Sequence, residues 1–192
     1  MTENGYFNIN NDNITTYFDY FDSYYGNITW NNGKDLANKL HSIISNITPL
    51  KYAGSPTNWE TNSYADEYIE DNSKVRAIYT TTPISKSSTG AGSNKWQREH
   101  CFAATLLTGI GTTSAVTTPG RGTDFHNLYA ASSRGNGARG NKSFGFANEM
   151  DYSYSPADGY ISDRTNFEPD EYAKGKVARA VLYMGIMWEI QK

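Results

Sequence analysis

One cysteine, three histidines and no long apolar run are the first features of this 192-residue chain. Cys101 has no second cysteine to pair with, so burial of apolar surface rather than cross-linking must hold the fold. A helix that crosses a bilayer needs ~20 predominantly apolar residues, and nothing here approaches that length. Met1 to Asn13 lacks the basic and apolar blocks of a secretory leader, so that stretch is not expected to act as one. Three histidines and a cysteine without metalloprotease spacing are too few ligands for a zinc hydrolase. Charged residues make up only 19% and aromatics 14%, a balance that favours a packed core over disorder.

The length suits one domain, 1–192, with a core of its own. The formal net charge of −3 looks wrong for a protein that handles a polyanion, but the charges are unevenly placed. Residues 94–142 carry 6 basic and 2 acidic side chains, whereas the flanks carry 6 against 10 before and 5 against 8 after. A basic middle between acidic ends is the footprint of a local polyanion site.

Periodicity marks the elements. The aromatics of residues 6–32, among them Tyr17, Phe18, Tyr20 and Phe21, predict a short helix. Leu36, Leu40, Ile43 and Ile44 predict a clearer one from Lys34 to Asn46, ended by Pro49, with His41 a half-buried helical residue and no more. Val75 to Thr81 alternates like a strand closed by Pro83, and Ser85 to Ser93 reads as a polar loop. Residues 107–123 form a long aperiodic connection. After Pro169 a core stripe of Val177, Ala180, Val181, Met184, Met187 and Trp188 predicts a final helix.

Two segments concentrate the chemistry. The first is Trp96-Gln97-Arg98-Glu99-His100; the second holds Asp124-Phe125-His126-Asn127-Leu128 and then Gly135-Asn136-Gly137-Ala138-Arg139-Gly140-Asn141-Lys142. Phosphodiester cleavage needs such a set: a base near neutral pKa, oxygen ligands for a hard cation, and cationic donors for transition-state charge. In order and spacing these motifs resemble the bacterial endonuclease I family of nonspecific nucleases, in the ββα-metal (His-Me finger) group. Leu40 to Ser45 and Ala178 to Met184 extend the resemblance to an early and a late helix of the family.

That resemblance implies a mixed α+β domain with a ββα-metal finger packed among helices. It implies His100 as general base, and Glu99 and Asn136 as ligands of Mg²⁺ or another divalent cation such as Mn²⁺ or Ca²⁺. The family's transition-state arginine comes from a variable insertion, where Arg121 is taken for it. Arg98, Arg134, Arg139 and Lys142 are expected to grip nucleic acid. The implied activity is sequence-nonspecific cleavage of DNA and RNA to 5′-phosphate products, by a monomer of extracellular or periplasmic location. The chain departs from the family at Ala103 and Ala130, where proline is usual, and at Gly135, where a hydrophobic residue is usual.

Simpler readings stand beside these. Adjacent strand residues point to opposite faces, so Glu99 and His100 converge only at a strand end or bulge. His126 could be a ligand, but Asp124 and Asn127 suit loop-organising bonds to backbone better. Cys101 reads as a small buried residue. Asn141, five residues past Asn136, would face elsewhere on a continued helix. The rival from another class is a catalytically silent nucleic-acid or surface-binding module, which would be free to lose Glu99, His100 or Asn136; all three are present.

Overall fold

The computed structural model describes residues 24–26, 28–52, 58–107, 119–148 and 158–190. Most of the expected helix over 6–32 falls outside them, as does most of the connection over 107–123. The architecture is α+β. In chain order the elements are α1 (Gly33–Ile44), α2 (Asn58–Ala65), β1 (Glu67–Tyr68), β2 (Asp71–Val75), β3 (Ile84–Ser85) and β4 (Trp96–His100). There follow α3 (Ala104–Leu107), a 3₁₀ turn (Arg121–Thr123), β5 (Leu128–Ser132), α4 (Ser133–Arg139), β6 (Ser143–Phe144), β7 (Tyr160–Ser162), β8 (Asn166–Pro169) and α5 (Glu171–Met187). The chain divides into two compact units, one of Met1–Thr48 with Gly185–Lys192 and one of Pro49–Met184.

In the first unit, α1 starts at Asn32, whose side chain accepts from Asp35 N at 3.0 Å while Asp35 Oδ2 accepts from Asn31 N at 3.0 Å. The first bond satisfies an amide that the first turn leaves without a helical partner, and the second ties down the residue before the cap. The helix ends two residues before the predicted Asn46 and has no fully buried residue. His41 is half-buried, its Nδ1–H donating to Ile186 O at 2.9 Å.

The second unit is built on β4 and β5, paired antiparallel in unbroken register from Trp96↔Ser132 to His100↔Leu128. β5 runs directly into α4, giving a strand–strand–helix unit. The other edge of β5 is closed from two sides. Ile78 N donates to Ala130 O at 2.8 Å and Ser132 N to Ile78 O at 3.1 Å. From α2 comes Asn62, donating to Leu128 O at 2.7 Å, and from the turn just after it Asp66, accepting from Ala130 N at 2.7 Å. Two small sheets, ordered β1-β2-β3 and β6-β8-β7, complete the unit. One core cluster joins Ile78, Tyr79, Cys101, Ala138 and Phe167 to Ala173, Val177 and Ala180 of α5, as the helical stripe predicts.

The strand predicted over Val75–Thr81 is overturned. β2 stops at Val75, and the chain turns at Tyr79, where φ is 63°. Ile78 and Tyr79 are consecutive and both buried, so this segment is enclosed on both sides and alternation carries no information about it. Such a left-handed bulky residue costs about 1–3 kcal/mol and persists only where its surroundings hold it.

Asp66 yields a pH prediction. It is 5% exposed, and burial pushes its carboxyl up to about 6 against the lowering effects of the Ala130 amide and of Lys176, whose Nζ lies 3.8 Å away. The folded pKa lies above the ordinary value of 3.8, so between pH 4 and pH 6 the unfolded chain releases this proton first. Stability from this residue therefore falls as pH rises through that window, by about 2–3 kcal/mol at 1.36 kcal/mol per unit. Urea unfolding at pH 4 and pH 6.5 checks this: Asp66→Asn, whose amide oxygen still accepts from Ala130 N, shows a smaller loss of stability across the window than the parent.

Candidate active site

Alternation along β4 sorts the expected residues into two groups. On one side, Gln97 and Glu99 face α4: Asn136 Nδ2 donates to Gln97 Oε1 at 3.0 Å, and Arg139 Nη1 lies 3.3 Å from Glu99 Oε1. On the other side, Arg98 and His100 face Tyr52 and Trp59. The Arg98 guanidinium sits 3.7 Å from the Tyr52 ring centre and 4.4 Å from that of Trp59, and the His100 ring stacks on Tyr52 at 6.2 Å. β4 has no bulge, so Glu99 and His100 lie on opposite faces and flank the strand's C-terminal end, where His100 is the last residue.

Glu99 is 3% exposed, and its Oε1 takes both the Tyr79 hydroxyl at 3.1 Å and the Arg139 ion pair. Burial pushes its carboxyl up to about 7, with Arg139 and Tyr79 opposing. The carboxylate is therefore under-compensated for its depth, a deficit that a cation would remove. His100 is 8% exposed. Its Nε2 lies 2.8 Å from Gly122 O, a carbonyl that can only accept, so the proton sits on Nε2 and Nδ1 carries the lone pair. Burial, aided by Arg98 and Arg139, holds this imidazole below the usual histidine range and so keeps it neutral.

Three atoms remain open among the described residues: Glu99 Oε2, Asn136 Oδ1 and His100 Nδ1. None makes a hydrogen bond, and none is a buried side-chain atom left without one. A carboxylate oxygen and an amide oxygen form a hard-oxygen donor pair, the kind Mg²⁺ accepts while it keeps its remaining waters. Among the described residues no group of three or more His, Cys, Asp or Glu is placed to hold an ion. Glu99 and Asn136 are the residues present that fit one.

The arginines divide by burial. Arg139 is 4% exposed and donates to His100 O at 3.0 Å and Cys101 O at 2.7 Å besides its pair with Glu99. The expectation that it grips nucleic acid is corrected: its guanidinium is spent inside the fold. Arg98 is half-buried between two rings and donates to Tyr52 O at 2.9 Å. Arg121 is exposed in the 3₁₀ turn beside Gly122, the anchor of His100. Arg134 is exposed and pairs with Asp158 at 3.3 Å, and Lys142 donates to Ser162 Oγ at 2.6 Å. α4 ends at Arg139 with Gly140 at φ 51°, so Asn141 lies past the helix and exposed instead of around its axis.

The 120–127 loop is organised by its Asx residues. Asn127 Oδ1 accepts from Phe102 N at 2.6 Å while Nδ2 donates to Phe102 O at 3.1 Å; Asp124 accepts from His126 N at 2.9 Å and from the Tyr183 hydroxyl at 3.1 Å. The His126 ring stacks on Tyr183 at 4.3 Å. Sequence reasoning missed Tyr79, Gln97 and Gly122. Only Gln97 left a signal, since strand alternation puts it on the same face as Glu99.

The Endonuclease I family profile matches residues 32–191, which include every candidate residue above. The chain belongs to the endonuclease I family. It is 33% identical over 168 residues to a protein of Bacillus subtilis (strain 168) named extracellular ribonuclease, covering 88% of this chain and 54% of that one. The figures are the same for a Bacillus amyloliquefaciens protein of that name. The chain thus spans about half the length of these curated relatives. In this endonuclease I member the structure leaves no room for a side chain at Gly135. A Cβ at Gly135 would fall 2.8 Å from both Ser132 Oγ and Tyr79 O, because the Tyr79 turn packs against it.

Arg139 supplies the test of this arrangement. Arg139→Met leaves Glu99 buried without its cation and two carbonyls without their donor, and should cost about 3–5 kcal/mol. Urea unfolding reads this directly, and an unchanged midpoint would mean that Arg139 is not a structural staple.

Proposed function

We propose that the chain is a divalent-cation-dependent endonuclease of the His-Me finger kind, hydrolysing phosphodiester bonds inside DNA and RNA without base preference. The observation that carries this reading is the placement of His100: buried at the end of β4 with Nε2 2.8 Å from Gly122 O, which leaves Nδ1 without a hydrogen bond. Family membership and two relatives named extracellular ribonuclease support a nuclease, RNA among its substrates, and a secreted setting. Among the described residues no helix is long and apolar enough to cross a membrane. His100, Glu99 and Asn136 come from one chain, so a monomer suffices.

In the proposed reaction His100 Nδ1 takes a proton from water as the water oxygen bonds to phosphorus. The bond from phosphorus to the 3′ oxygen breaks, and that oxygen takes a proton from solvent, leaving a 5′-phosphate and a 3′-hydroxyl. In-line displacement requires the nucleophile and the leaving oxygen on opposite sides of phosphorus. A phosphate lying across the end of β4 would have His100 on one side and Glu99 with Asn136 on the other. A cation held by Glu99 and Asn136 would polarise the phosphoryl group and stabilise the departing oxygen. Arg121 is the exposed cation beside the His100 anchor and would meet developing charge on the phosphate. Exposed Lys95 and Arg134, with Lys142, extend a basic rim for the backbone.

Incubation with supercoiled plasmid and Mg²⁺, with and without chelator, tests the activity. His100→Ala then tests the base, and should fold, retain DNA binding and lose about 10²–10⁴ in turnover. Cleavage that persists at the parent rate in chelator, or in His100→Ala, contradicts the proposal.

A further inference from the structure

Tyr79 belongs to none of the motifs and to no part of the reaction above, yet the structure constrains it from every side. Among the described residues three non-glycines adopt a positive φ, namely Tyr79, Asn94 and Glu189; of these only Tyr79 is buried, at 1% exposure. An aromatic residue takes up that conformation only where neighbours impose it. Here Ile78, one residue earlier, is tied to β5 by two backbone bonds, and Tyr79 O accepts from Ser132 Oγ at 2.7 Å. Gly135, bare of a side chain, lets the turn sit against the start of α4. The ring meets Phe167 edge-on at 4.7 Å. The outcome of all these contacts is one polar act: the phenol hydroxyl donates to Glu99 Oε1 at 3.1 Å.

Both donors to Glu99, Tyr79 and Arg139, land on Oε1, leaving Oε2 without a hydrogen bond. A carboxylate gripped by one oxygen from two directions cannot rotate, and its other oxygen points where the pair directs it. Arg139 also ties down His100 O and Cys101 O, so its removal would disturb the strand end itself. The Tyr79 hydroxyl donates to Glu99 Oε1, and its other polar neighbour is the buried Cys101 thiol.

We infer that Tyr79 is a positioning residue, which fixes the Glu99 carboxylate through its hydroxyl and so sets the affinity of the site for a divalent cation. The inference rests on the reading of Glu99 as a cation ligand. Outer partners that orient a ligand commonly change metal affinity by about 10–100-fold when removed. A purely structural tyrosine would instead act through its ring, which phenylalanine preserves.

The test is Mn²⁺ binding to substrate-free protein, measured by calorimetry for the parent, Tyr79→Phe and Glu99→Gln, with thermal unfolding read on the same samples. The expected result is binding by the parent, loss in Glu99→Gln, and about 10–100-fold weaker binding in Tyr79→Phe, with cooperative unfolding retained. Turnover of Tyr79→Phe should recover at high Mn²⁺, the shift appearing in the half-saturating cation concentration. Parent-like affinity in Tyr79→Phe, with Glu99→Gln still defective, overturns the role of Tyr79 and leaves the cation reading standing. Parent-like affinity in Glu99→Gln overturns the cation reading and this inference with it.

Discussion

A carboxylate taken almost wholly out of water must be met by donors, and much of the Pro49–Met184 unit is arranged around meeting Glu99. Arg139 reaches it from the end of α4 and binds the carbonyls of His100 and Cys101 with the same guanidinium. One side chain therefore fixes both the Glu99 carboxylate and the backbone that carries His100. α4 has only seven residues, two of them glycine after Ser133, too little to be helical by its own propensity. It is held by Ser132 capping Gly135 N at 3.1 Å, by the Asn136–Gln97 amide pair, and by Arg139.

The unbroken register of β4 has a chemical consequence. Had a bulge turned Glu99 and His100 to one side, the proposed base and the proposed cation ligands would crowd one face of a bound phosphate. Regular alternation keeps them apart, with the strand end between them, which suits attack and departure along one line. His100 is placed from the far side of the chain by Gly122 O, and the turn carrying Gly122 is closed by Thr123, whose N and Oγ1 both bond to Gly120 O. The Tyr52 and Trp59 rings hold Arg98 on that face, an aromatic wall beside the imidazole.

Long periodic elements were legible in the sequence. α1 and α5 appear within a few residues of their predicted bounds because a stripe of Leu, Ile, Val and Met at helical spacing has few other uses. The order of Glu99, His100 and Asn136 was legible as a pattern, and so were the loop-forming roles of Asp124 and Asn127. Tyr79 was not, because its turn is imposed by Ser132, Gly135 and β5, all about fifty residues later in the chain. Arg139 was misjudged for a related reason. A basic side chain in a basic segment reads as surface, and only the burial of Glu99 explains why this one turns inward. The partner of His100 is a backbone carbonyl, which every residue has, so no residue type could announce it.

The central claim is that the Glu99 face of β4, facing α4, is the cation site. Anomalous scattering from a crystal soaked in Mn²⁺ tests it most directly. The account predicts a single strong peak about 2 Å from both Glu99 Oε2 and Asn136 Oδ1, with the Glu99 Oε1 bonds to Tyr79 and Arg139 retained. A peak held instead by Asp124 and His126, with none beside Glu99, would contradict it.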